Sequence, residues 1–112
     1  MTRFTGYAAL FDRVDRAGDV FRRGSFGSGE VPLLIEHRGD PIGTARVSED
    51  ARGLLVEGVA EGVVVGSGLS VGFVATQARQ GGRREILRAA LAEVSLVRVP
   101  MQAGARVTAV IN

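Results

Sequence analysis

The chain has 112 residues, 46% hydrophobic and 23% charged, with a formal net charge of +2, the size and balance of a single soluble globular domain. It has no cysteine, one histidine and no lysine, which excludes disulfides, thiol catalysis, Cys- or His-rich metal sites within one chain, P-loop chemistry and Ser-Lys hydrolysis. No apolar run approaches the roughly 20 residues of a membrane span, and the first six residues lack the apolar stretch of a secretory signal.

Phe4–Phe11 is short, partly apolar and aromatic, and reads as a strand. Asp12–Gly29 is polar and punctuated by glycine, so it reads as a loop with one helical turn near Phe21–Phe26. Val31–His37 reads as a strand opened by Pro32, with Leu33, Ile35 and His37 on one face and Leu34 and Glu36 on the other. Arg38-Gly39-Asp40-Pro41 has turn composition. Ile42–Ser48 and Leu54–Ala60 form a hairpin around Glu49–Gly53.

Gly62–Gly68 is a glycine-rich link containing Val63-Val64-Val65. Leu69–Gln77 reads as a strand, Gly81-Gly82 as a turn, and Arg84–Arg88 as the start of the return. Leu91–Val99 alternates, with Leu91, Glu93, Ser95, Val97 and Val99 on one face, and Pro100 ends it. Ala105–Ile111 is the last strand. About seven short strands with turns every 8–12 residues predict an all-β, mainly antiparallel fold with few short helices, a small closed or partly open barrel or sandwich.

All 14 basic residues are arginine, but acidic residues are interspersed and no basic run carries interleaved aromatics, so nucleic-acid binding is not expected. The chemistry centres on Gly68-Leu69-Ser70-Val71-Gly72. In an extended strand Ser70 shares its face with two glycines, which leaves room for a substrate backbone to approach the hydroxyl. The same pattern marks the nucleophile elbow of α/β-hydrolases. That reading fails because the chain is too short, lacks strand–helix alternation, and places its only histidine, His37, before the serine. Triad chemistry depends on geometry, not on chain order, so His37, Ser70 and Glu93 remain a candidate set. Glu93 lies on an otherwise apolar face and needs a partner there, which an imidazole N–H would supply. Ser95, two residues from Glu93, is the rival nucleophile; Ser70 is preferred because its glycine neighbours open the approach.

Five blocks occur in the order of a known family: Gly6-Tyr7-Ala8-Ala9-Leu10-Phe11 with Gly18-Asp19-Val20 and Gly24-Ser25-Phe26; Leu33-Leu34-Ile35-Glu36-His37 with Pro41-Ile42-Gly43; Asp50–Gly58; Gly68–Phe73; and Leu91–Val97 with Pro100. On these, nearly the whole chain resembles the caudovirus prohead (procapsid) maturation proteases, relatives of the herpesvirus assemblins. The resemblance implies a single β-barrel domain over residues 1–112 and a serine endopeptidase with His37 as base, Ser70 as nucleophile and Glu93 as third member. No cofactor or metal is expected. Its substrates would be scaffold protein or the scaffolding segment of the major capsid protein. The setting would be a procapsid in the cytoplasm of a bacterial host, from a tailed phage or a gene transfer particle. Assemblin relatives suggest a homodimer. The crossover helix that the family usually places before the serine motif is replaced here by the short Ala60–Gly68 link, and the alternative reading is a catalytically degenerate module that binds capsid or scaffold protein.

Overall fold

The computed structural model, which describes residues 1–111, has eight strands, most of them carrying an alternating apolar face. They are β1 (Thr2–Leu10), β2 (Asp19–Phe21), β3 (Gly29–Ile35), β4 (Arg38–Glu49), β5 (Gly53–Ala60), β6 (Gly68–Gln80), β7 (Arg84–Val97) and β8 (Val107–Ile111). All belong to one sheet in the order β2-β7-β3-β4-β5-β1-β8, with β6 paired to β7. One face of each strand supplies the core: Phe4, Leu33, Leu54, Val56, Leu69, Ile86, Val94 and Val107 are at most 1% exposed. Burying such side chains contributes about 1.5–3 kcal/mol each.

The fold is all-β as expected; the mainly antiparallel and barrel expectations hold only in part, and the expected short helices are absent among the described residues. The sheet is mixed, because β7 takes β2 as a parallel partner at Arg84–Ile86 and β3 as another at Val94–Leu96, while β6 runs antiparallel along its other edge. The sheet also does not close into a barrel. The five-residue β8 is too short to follow β6, and only the Gly68–Arg106 bridge and a few backbone hydrogen bonds around Ser67 and Leu69 join the two ends. Finally, the described residues contain no helix. The expected helical turn near Phe21–Phe26 is prevented by Gly24 and Gly27, both at positive φ, and by Glu49, whose carboxylate accepts from the N–H groups of Gly24, Phe26 and Gly27 at 2.7–3.0 Å.

The β3–β4 turn also lies elsewhere. Ile35 pairs with Arg38, so the turn is Glu36-His37 and not Arg38–Pro41. Between the pairs Leu33–Gly43 and Ile35–Arg38, β3 has one residue and β4 has four, so Asp40 and Pro41 lie in a bulge. The link between β5 and β6 is short and irregular, with Val63 buried beneath it.

Candidate active site

His37 is the second residue of a two-residue hairpin turn, at φ 62°, after Glu36 at φ 52°. Positive φ at both central residues is the requirement of a type I′ turn, a conformation that costs non-glycine residues about 1–3 kcal/mol each. The turn is held by the end of β7. The Glu36 N–H donates to the Leu96 carbonyl at 3.0 Å, and the His37 N–H donates to Ser95 Oγ at 2.9 Å. Glu36 Oε1 in turn accepts from the Arg98 N–H at 3.1 Å. The positive φ at His37 therefore carries the imidazole off the line of β3, correcting its expected place on a strand face.

There the ring meets Glu93. Nδ1 lies 2.7 Å from Glu93 Oε2, with the imidazole 40% and the carboxylate 13% exposed. Facing an ionised carboxylate, which only accepts, a neutral imidazole carries its proton on Nδ1 and leaves Nε2 as the acceptor. Glu93 Oε1 accepts a second hydrogen bond from Ser95 Oγ at 2.6 Å.

The register of β6 on β7 creates space for this carboxylate. Gly72 is directly opposite Glu93, and a Cβ on Gly72 would lie 2.0 Å from Oε2. Just beyond this pair β7 carries one extra residue, Ala92, a bulge that bends the strand beside the site. The expectation that both glycines leave room for substrate is thereby corrected. The space beside Gly72 is filled by Glu93, and that beside Gly68 by the Val97 carbonyl and Pro100. Nor do Glu93 and Ser95 lie on the core face, which along this stretch is marked by the fully buried Val94.

Ser70 is opposite Ser95, on the face shared by Glu93 and Val97. It is 3% exposed, and its hydroxyl forms no hydrogen bond with the described residues. It borders a cavity of about 20 Å³, the size of one water, lined also by Phe21, Met101 and Gln102. Gln102 is fixed from below: its side chain accepts from the Leu10 N–H at 2.6 Å and donates to the carbonyls of Leu10 and Arg13. The structure thus joins His37 to Glu93 and places Ser70 directly opposite Ser95 and diagonally across the strand pair from Glu93, without a Ser70–His37 hydrogen bond. Ser95 is fully buried with both its proton and a lone pair engaged. Among the described residues no group of three or more His, Asp or Glu side chains could hold a metal ion.

The structure thus holds one imidazole–carboxylate pair, with Ser70 on the same face of the β6–β7 pair. The profile of the caudovirus prohead serine protease family matches residues 1–112, the whole chain, and the protein belongs to that family. No curated protein and no solved structure matches it.

Proposed function

We propose that this protein is a serine endopeptidase of capsid maturation that works through Ser70, His37 and Glu93. The observation that carries this reading is the 2.7 Å contact between His37 Nδ1 and Glu93 Oε2, on the face of the β6–β7 pair where Ser70 stands. That contact leaves Nε2 as a base. It takes the Ser70 proton as Oγ attacks the scissile carbonyl, then delivers it to the leaving amine. Water, activated by the same nitrogen, hydrolyses the acyl-enzyme. Glu93 keeps the ring in its working tautomer and stabilises the imidazolium. Met101 and Gln102 border the Ser70 cavity, and their N–H groups donate no hydrogen bond to the described residues. They supply the oxyanion donors, a contribution of about 3–4 kcal/mol to the barrier for one such donor.

By family, the substrates are scaffold protein or the scaffolding segment of the major capsid protein, cut inside the procapsid in the bacterial cytoplasm. The open distance between Ser70 and the ring closes in the substrate complex, as catalytic hydrogen bonds in free enzymes commonly do. A second reading is favoured by one observation, the 3% exposure of Ser70. On that reading the chain is a degenerate module that binds capsid protein without cutting it.

Production of the chain together with its capsid protein, followed by intact-mass analysis, separates the two. The protease reading predicts defined capsid fragments with the native chain and none with a folded Ser70→Ala variant. Equal cleavage by Ser70→Ala removes the assignment, and an intact capsid protein held in a stable complex favours the binding module.

A further inference from the structure

We propose that Ser95 is a positioning residue: it holds the His37 backbone and the Glu93 carboxylate as one unit and so fixes the tautomer and direction of the imidazole. The inference rests on the His37–Glu93 pair serving as the base of the proposed peptidase.

Four hydrogen-bonding groups form a closed circuit. The His37 N–H donates to Ser95 Oγ at 2.9 Å, Ser95 Oγ donates to Glu93 Oε1 at 2.6 Å, and Glu93 Oε2 accepts from Nδ1 of the same histidine at 2.7 Å. Main chain and side chain of His37 are therefore tied to one carboxylate through one hydroxyl. Such linked hydrogen bonds polarise one another in a low-dielectric interior. Ser95 is fully buried, so a water cannot take its place without rearrangement.

Each end of the circuit has a reason to need the tie. His37 is held at φ 62°, a conformation that persists only where surrounding contacts enforce it. Glu93 has no other hydrogen-bond donor among the described residues besides His37 and Ser95. Without the hydroxyl, Oε1 loses its donor and the carboxylate turns about its own bonds. The same geometry disqualifies Ser95 as the nucleophile. Its proton faces a carboxylate rather than the imidazole, and no substrate carbonyl reaches a residue with no exposed surface.

The single histidine makes the test clean, because its ring nitrogens give one set of ¹⁵N signals. With the imidazole neutral, the native chain is expected to carry its proton on Nδ1 and to show a slowly exchanging His37 amide. In Ser95→Ala the ring becomes a mixture of tautomers, the His37 amide exchanges rapidly, and kcat for peptide cleavage falls on the order of 100-fold, the cost of a small misplacement, with KM nearly unchanged. Ser95→Cys keeps the size and a weak donor, and is expected to fall between the two in ring state and rate.

A folded Ser95→Ala chain that keeps Nδ1–H, a protected His37 amide and native kcat would overturn the proposal. So would a Ser95→Ala chain with the native ring state but no cleavage, which would make Ser95 the nucleophile. If neither variant folds, solvent isolation of the native His37 amide still decides: rapid exchange there contradicts the circuit. The ring measurements need no substrate, so a chain that cleaves nothing, with a native Nδ1–H that Ser95→Ala releases, would refute the peptidase reading and leave the circuit standing.

Discussion

The Glu93 carboxylate occupies the space that a side chain at Gly72 would fill: a Cβ there would lie 2.0 Å from Oε2 and 2.8 Å from Cδ. The second glycine of the Gly68-Leu69-Ser70-Val71-Gly72 stretch thus serves the carboxylate across the strand pair. It lets Oε2 lie over β6, and the imidazole that binds Oε2 comes to the face on which Ser70 stands, two residues away.

Gly72→Ala is expected to displace Glu93 while sparing the fold, because the clash falls on the end of a flexible side chain and alanine is favoured over glycine within a strand by roughly 0.5–1 kcal/mol. Thermal denaturation should change little. Peptide cleavage should fall about 100-fold, and the His37 ring should lose its single Nδ1–H form. Unchanged activity with an unchanged ring would show that the carboxylate has another route to the histidine.

The Glu36-His37 turn predicts a stability gain. Asparagine enters the left-handed region far more readily than glutamate, and Glu36 sits there at φ 52°. Its carboxylate accepts from the exposed Arg98 N–H, a bond that water can replace. Glu36→Asn should raise stability by about 1 kcal/mol, read as a higher urea midpoint with unchanged slope. A loss of stability would mean that the Arg98 contact outweighs the backbone strain.

Tyr7 and Asp50 predict a pH dependence. The Tyr7 hydroxyl donates to Asp50 Oδ2, and this hydrogen bond, with burial and the Asp50 charge, raises the phenol above its ordinary 10.0. The same bond, helped by the Arg52 and Gly53 N–H groups, lowers Asp50 below 3.8. The Tyr7 contribution is complete below pH 10.0 and fades as pH rises through the raised value. The Asp50 contribution is present above pH 3.8 and fades as pH falls through the lowered one. With one tyrosine and no tryptophan in the chain, ultraviolet absorbance reads this phenol alone. Tyr7→Phe should lower the urea midpoint near neutral pH and flatten its decline at both extremes. A Tyr7 that ionises at its ordinary pH would contradict the pairing.

The strands were largely legible because alternation is local: Leu54–Ala60 and Leu69–Gln77 were readable from their own residues. What the sequence hid depends on distant partners. β2 is three residues long and exists through parallel pairing with Arg84–Ile86. Arg38–Pro41 has the stronger turn composition, yet the chain turns at Glu36-His37, where β7 supplies the Ser95 hydroxyl and the Leu96 carbonyl. The alternation of Leu91–Val99 suggested that Glu93 needs a partner but put it on the wrong face; the partner is nonetheless the imidazole. The role of Ser95 was not visible. Its spacing from Glu93 showed only adjacency, which fits a nucleophile as well as a brace until burial is known. The Gly72 contact required the β6–β7 register.

The account depends most on His37 and Glu93 serving Ser70, and a serine-directed fluorophosphonate tests that link directly. Peptide mapping of the labelled chain should place the phosphonyl group on Ser70, with labelling at least 100-fold slower in His37→Ala and Ser95 unmodified. A label on Ser95, or on Ser70 at the same rate without the imidazole, would contradict it.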